Sequence, residues 1–249
     1  MKKLLTIVLA FVLLVSMAAC GTTSDKNFVI ATDKGFSPFE FQDADGNIVW
    51  IDMDILAAIA EDQGFTYDLQ YIGWDAAIAA CQAGQADGMI AGASITDERK
   101  ANGWTFSNGY YDATQGMAVA KDSAITGFAD LAGKKVAVKN GTMSNQYAES
   151  IKDQYGFEVV TFATSPDMYQ AVTGGQVDAC LDDTPILKYN IKTGELDMKF
   201  VEGTENDPAQ YGFAIFDESK QELIDLFNKG LENIKANGKY DEIIAKYLG

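Results

Sequence analysis

Short apolar stretches and amphipathic stretches alternate along almost the whole chain. Phe28-Val29-Ile30-Ala31-Thr32 reads as a strand, followed by a Gly- and Pro-punctuated loop from Asp33 to Phe41. Asp52 opens a predicted helix with Ile55, Leu56 and Ile59 on one face, and Gly64 stops it. Tyr67 to Ile72 alternates as a strand, and Trp74 to Ala83 is helical up to Gly84. Gly88-Met89-Ile90 is a short apolar strand, which a glycine-containing turn carries to a helix start at Thr96. Tyr110 to Ala120 follows, and then the strand Val136-Ala137-Val138, the turn Lys139-Asn140-Gly141-Thr142 and a helix through Tyr147 and Ile151. Ser165-Pro166-Asp167 reads as an N-cap with proline at the first helical position. A strand over Gln176 to Leu181 leads to a helix at Thr184-Pro185. A strand from Tyr211 to Phe216 and helices over Lys220–Asn237 and Tyr240–Leu248 close the chain. Strands that alternate with helices in this way predict an α/β architecture.

One unit of the pattern occurs twice. Ala83-Gly84-Gln85-Ala86-Asp87-Gly88 follows a helix and enters a strand, and Gly174-Gly175-Gln176-Val177-Asp178-Ala179 does the same. The first strand delivers Gly92 and Ser94, and the second delivers Asp182 and Asp183. Two lobes of similar local topology would produce this repeat, although a short pattern can also recur by coincidence. In open α/β sheets the ligand crevice lies beyond the carboxyl ends of the strands, which puts these four residues at a site.

Composition narrows the chemistry. With 249 residues and 47% apolar content the chain can bury one large core or two smaller ones. Its 36 acidic against 19 basic residues argue against a nucleic-acid partner. Histidine is absent, so a His-dependent triad or zinc site is excluded. Lys2-Lys3 and the apolar run Leu4 to Val15 form a secretory leader too short to span a bilayer with margin. It ends Ser16-Met17-Ala18-Ala19-Cys20-Gly21, similar to a bacterial lipobox, where the cysteine becomes the acylated first residue; ordinary cleavage with Cys20 as a bystander is the alternative. Cys81 and Cys180 read as small buried hydrophobes in different lobes, which leaves them unbridged.

Arg99 is oddly placed, because a cation in a helix's first turn opposes the helix dipole; a solvated surface arginine would explain it blandly. Asp182 and Asp183 are adjacent, so in an extended segment they face opposite ways. Asp183 could equally be the N-cap of the following helix. The turn at Gly141-Thr142 presents helix-starting N–H groups to an anion but lacks the P-loop lysine and serine. Asp43 to Asn47 lacks the spaced ligands of an EF-hand.

Ala91-Gly92-Ala93-Ser94-Ile95-Thr96-Asp97-Glu98-Arg99, with Phe106-Ser107 and Tyr110-Tyr111, resembles the bacterial extracellular solute-binding proteins for polar amino acids, receptors of amino-acid ABC importers. The resemblance runs from about Phe28 to the C-terminus. It implies a two-lobe, periplasmic-binding-protein-like (type II) α/β fold with a hinge and an interlobe ligand cleft. The implied organisation is a signal peptide (1–19), a lipid-anchored linker (20–27), lobe 1 (28–109 and 212–249), lobe 2 (115–205), and hinges at 110–114 and 206–211. By resemblance Arg99 grips the ligand α-carboxylate with help from Ser94 and Thr142, Gly92 is a further ligand-binding residue, and Asp183 meets the ammonium. Phe36 and Trp74 align with two aromatic walls, for which core packing is the alternative. Asp33, Lys139 and, less securely, Asp52 align with readers of the ligand side chain; Asp52 could instead cap its helix. Trp50 stands where this family usually has glycine.

The resemblance therefore implies a monomeric, non-enzymatic lipoprotein on the outer face of the membrane or in the periplasm. Its partners would be a polar amino acid and an ABC permease, with no cofactor, metal or nucleic acid. Lysine at 139 disfavours a cationic ligand, and glutamine leads. The alternatives are a cyclohexadienyl-dehydratase-like enzyme on the same fold, or a ligand-binding sensor domain.

Overall fold

Two five-stranded sheets hold the molecule's apolar residues, and in each sheet successive residues of a central strand serve opposite faces. The computed structural model describes residues 26–42 and 45–249, so the leader, Cys20 and most of the linker lie outside the described residues. The first sheet has the order β4-β1-β5-β14-β6, from β1 (Asn27–Thr32), β4 (Thr66–Tyr71), β5 (Gly88–Met89), β6 (Thr105–Phe106) and β14 (Ala214–Ile215), while β2 (Phe41–Gln42) and β3 (Ile48–Val49) pair as a separate two-stranded sheet. Ile30 and Ile90 face helices α1 (Ile51–Gln63) and α7 (Gln221–Ala236), packing with Ile55, Leu56, Ile59, Phe227 and Leu231. Ala31, Met89 and Ala91 face the other way, toward α2 (Trp74–Gln82) with Ala77, Ala80 and Cys81. Period-two alternation is what a sheet covered on both faces requires.

The second sheet has the order β10-β9-β11-β8-β12, from β8 (Gln115–Ala120), β9 (Lys135–Lys139), β10 (Glu158–Phe162), β11 (Ala179–Asp183) and β12 (Met198–Val201). Met117, Val119, Val136, Val138 and Leu181 pack on one face, on the side of α4 (Met143–Tyr155) with its Ala148. Ala118, Ala137 and Cys180 pack on the other, against Met168 and Val172 of α5 (Ser165–Thr173) and Leu187 of α6 (Thr184–Thr193). Cys81 and Cys180 are thus buried free thiols under different sheets.

The chain enters the second sheet through β7 (Tyr111–Ala113) and leaves it through β13 (Ala209–Tyr211), and these two strands pair antiparallel as a ribbon of their own. Here the sequence expectation of one strand from Tyr211 to Phe216 fails. The segment divides at Gly212, where a Cβ would lie 2.9 Å from the Ile95 side chain and 3.1 Å from Phe106. Only glycine passes that gap, and beyond it the backbone joins a different sheet. The N-cap of α5 is also Thr164, whose hydroxyl accepts from Asp167 N, rather than Ser165.

The repeated Gly-Gln-x-Asp unit has the same physical role in each lobe. Gly84 and Gly175 take left-handed φ values of 70° and 69° just past their helices. Gln85 N and Gln176 N then donate to Ala80 O and Ala171 O. Asp87 accepts from Val29 N at 2.8 Å, and Asp178 accepts from Lys135 N at 2.9 Å. Each aspartate thereby fixes the start of the neighbouring parallel strand, so the opposite ends of those strands arrive side by side.

Trp50 opens α1 with φ 100° and ψ −168°, a region that suits glycine and costs another residue on the order of 1–3 kcal/mol. Its ring stacks on Tyr247 of α8 (Lys239–Leu248) at 5.3 Å and meets Phe41 edge-on at 6.3 Å.

Candidate functional site

The carboxyl ends of β1, β5, β9 and β11 converge on a narrow cavity between the two sheets. Asp33, Phe36, Trp74, Gly92, Ser94, Arg99, Lys139, Thr142 and Asp183 all line it, with Ala91, Met143 and Asp182.

Arg99 lies in the short helix α3 (Asp97–Ala101), whose N-cap Thr96 accepts from Arg99 N at 3.1 Å. Only 6% of Arg99 is exposed. Its guanidinium sits 5.1 Å from the Trp74 ring and 5.0 Å from the Trp104 ring, close enough to both for cation–π attraction. Nη1 donates to Ser94 O at 2.8 Å, and Nη2 reaches Gly141 O in the other lobe at 3.3 Å. Burial lowers its pKa to about 10 against the pull of Asp183 and Glu98, so the group stays cationic at neutral pH. Among the described residues it has no carboxylate partner of its own.

Asp183 is its counterpart. The carboxylate accepts from Gln115 Nε2 at 2.7 Å, from Ser144 Oγ at 3.3 Å and from the Tyr211 hydroxyl. It occupies the N-cap position of α6 yet makes no capping bond, because the side chain turns into the cavity. Burial first, then the adjacent Asp182, pushes its pKa up to about 6, against these three hydrogen bonds. Asp182 turns the other way. It accepts from Tyr169 Oη at 2.6 Å, from Ser165 Oγ at 3.0 Å and from Asp183 N at 2.9 Å, so three donors within its own lobe hold it.

At the other end of the cavity Lys139 and Asp33 form an interlobe ion pair, each 3% exposed. The Lys139 ammonium also stands 5.7 Å from the Phe36 ring and 5.8 Å from the Trp74 ring. Trp74 Nε1 is buried without a protein acceptor, leaving it able to donate to a bound molecule. Gly92 is needed for its conformation, φ 54°, and because a Cβ would strike Phe36 at 2.7 Å. The Thr142 hydroxyl caps α4 by accepting from Asn145 N and donates to Lys139 O, so it is already committed within its own turn.

Asp52 does not reach the cavity. It lies inside α1, which begins one residue earlier than expected, and its Oδ2 accepts from Gly92 N and Tyr110 Oη, both at 2.9 Å. Burial pushes its pKa up to about 6. Beside it Glu40 is fully buried, and desolvation together with the Asp52 and Asp33 charges raises its pKa well above the usual carboxyl range. Both carboxyls are thus buried behind the Gly92 wall with their protonated forms favoured, and they contribute nothing to the cavity surface.

Trp104, Gln115, Ser144 and Tyr211 escaped the sequence reading. Gln115 faces Asp183 because β8 and β11 pair in that register, and Tyr211 arrives from the far end of the chain. Neither signal exists in a single sequence. Trp104, five residues beyond Arg99 and three past the end of the same short helix, is the one that spacing could have suggested.

Among the described residues no group of His, Cys, Asp and Glu could hold a metal ion, and no helix is long and apolar enough to cross a membrane.

Comparison with known proteins places this geometry. The arginine-binding extracellular protein ArtP of Bacillus subtilis is 27% identical, over 100% of this chain and 98% of its own length. Among solved structures, the second substrate-binding domain of Lactococcus lactis GlnP, in an open conformation, is 41% identical over 90% of this chain and 96% of its own, with a TM-score of 0.63. An ancestral arginine-binding protein, solved with arginine and again with glutamine, is 34% identical over 90% of this chain and 98% of its own, with a TM-score of 0.81 in both. Higher identity with lower overlap accords with differently set lobes on one fold. The Lys139–Asp33 pair and the Arg99–Gly141 bond put the present structure at the shut arrangement. The profile of the bacterial extracellular solute-binding proteins, family 3, matches residues 28–249, and the chain belongs to that family of amino-acid-binding proteins of ABC transport.

Proposed function

We propose that this protein captures glutamine between its lobes and delivers it to an ABC permease, held at the membrane by acylated Cys20. A zwitterion needs a cation and an anion a few ångströms apart. Arg99 and Asp183, buried, charged and unpaired with each other, meet that need at one end of the cavity. Arg99 would take the α-carboxylate through two parallel bonds, and Asp183 the ammonium. Phe36 and Trp74 would wall the side chain, with Gly92 and Ser94 lining the rear and the N-terminus of α4 at Thr142 lying close to the carboxylate.

The observation that carries glutamine is the Lys139–Asp33 pair at the side-chain end. An ammonium beside a carboxylate offers both a donor and an acceptor, which an amide matches without net charge. Arginine is the competing ligand, favoured by the names of ArtP and the ancestral protein. It would have to displace Lys139 from Asp33, and like charges brought together in a desolvated site cost several kcal/mol. The hinges would be 110–114 and 206–211, around the β7–β13 ribbon.

Calorimetry with the twenty amino acids, with product analysis, tests the reading. Glutamine should bind tightest and be recovered unchanged; arginine binding tighter would overturn the specificity, and a converted product would overturn binding as the function. Mass spectrometry should find the mature N-terminus at a diacylated Cys20, since stable anchoring needs two chains.

A further inference from the structure

One face of α6 crosses from the second lobe onto the first, outside the ligand cavity. Ile186, Tyr189 and Asn190 share that face, spaced i, i+3 and i+4. Ile186 is buried in the apolar cluster built mainly from first-lobe residues. Asn190 Nδ2 donates to Ser37 O at 3.0 Å. The Tyr189 ring meets the Trp50 ring edge-on, with centroids 5.5 Å apart and planes at 86°. None of these residues touches the cavity.

Trp50 makes this contact from a backbone conformation that favours glycine. A bulky residue persists at such a place only where its surroundings over-determine it. Part of the support is Tyr247, which stacks on the indole within the first lobe, and Phe41, which meets it edge-on. Further support comes from Tyr189, which lies across the interlobe boundary.

We propose that Trp50, braced by Tyr247, and the Tyr189–Asn190 face of α6 form a closing latch remote from the ligand, which sets how often the empty protein is shut. The latch rests on the lobe-closure reading above, but not on which amino acid is bound. A protein whose shut state is partly populated binds with an apparent affinity scaled by that population. The latch therefore tunes affinity for every ligand alike, whereas the cavity residues tune it ligand by ligand.

The test uses one spin label on an exposed position of each lobe, with interlobe distances measured with and without glutamine. The ligand-free wild type should show a shut population that Tyr189→Ala and Trp50→Gly both shift toward longer distances. Each change should weaken glutamine and arginine by the same factor, about three- to tenfold, the range an edge-to-face aromatic pair supplies. The double variant should be no weaker than the worse single one, because both remove one contact. Trp50→Gly also frees the backbone, so Tyr189→Ala serves as the variant with no change of strain. Unchanged ligand-free distances in both variants, or fully additive effects, overturn the latch. A wild type whose distances ignore saturating glutamine and saturating arginine alike would instead overturn the underlying closure reading, so the two failures are distinguishable.

Discussion

The two ends of the cavity treat charge in opposite ways. At one end the direct contacts of Arg99 and Asp183 are neutral groups: carbonyls and indoles for the cation, an amide and two hydroxyls for the anion. At the other, Lys139 and Asp33 neutralise each other directly. Neutral partners soften the burial of an ion but leave its field intact, and both shifted pKa values point to residual desolvation. An end built that way gains most from a ligand of two opposite charges. An end already neutralised gains most from a ligand without charge. One site can thus demand a zwitterion at its backbone and an amide at its tip.

The largest effect should come from breaking the first end. Arg99→Ala or Asp183→Ala strands one buried ligand charge and should cost about 3–5 kcal/mol, on the order of a thousandfold in affinity by calorimetry. Asp182→Asn is the internal control. Its carboxylate serves Tyr169, Ser165 and the Asp183 amide, so thermal stability should fall while glutamine affinity changes far less. Equal losses of affinity at 182 and 183 would erase the distinction between the neighbouring carboxylates.

Breaking the second end should redirect the site rather than disable it. Lys139→Met leaves the buried Asp33 charge with the Lys34 amide but no counter-ion, and a cationic side chain is the natural replacement. Arginine should gain about a hundredfold relative to glutamine, roughly 3 kcal/mol, and competition calorimetry reads the ratio directly. An unchanged ratio would mean that the pair plays no part in selectivity.

How much of this was legible in the sequence follows the same division. Strands, helices and the Gly-Gln-x-Asp repeat were readable because the periodicity and the turn glycines are local. The strand-end rule then located Gly92, Ser94, Asp182 and Asp183 without any sheet order. What stayed hidden depends on register and long-range return. Gln115 against Asp183 needs the β8–β11 pairing, Tyr211 comes from the ribbon, and the break at Gly212 is set by Ile95 and Phe106. Asp52 misled for a related reason. A helix's first residues can face a cavity or the core, and here Gly92 N and Tyr110 draw it inward.

The charge contrast also has a pH signature. Asp183 titrates at about 6 in the ligand-free fold, against an ordinary value of 3.8, and must be ionised to hold an ammonium. Affinity should therefore be flat above about pH 7 and fall by up to about tenfold per pH unit below 6. The free protein should behave oppositely. Between roughly pH 4 and 6 the folded state holds protons on Asp183 and Asp52 that the unfolded chain has released, so stability falls as pH rises through that window. Asp183→Asn should flatten the affinity profile and leave the Asp52 share of the stability profile in place.

The smallest effect belongs to the residue shared by both ends. The Trp74 ring stands 5.1 Å from the Arg99 guanidinium and 5.8 Å from the Lys139 ammonium, while Nε1 has no protein acceptor. Trp74→Phe keeps a wall but gives up the stronger indole quadrupole and the donor. A phenyl ring keeps part of the cation–π attraction, the lost donor is worth about 1 kcal/mol, and Trp104 still stands 5.0 Å from the Arg99 guanidinium. Glutamine affinity should fall about fivefold, with the glutamine-to-arginine ratio moving little because both charged ends lose the same ring. If Trp74→Phe moved the ratio as far as Lys139→Met, selectivity would lie in the aromatic wall, and the ion pair would be a passenger.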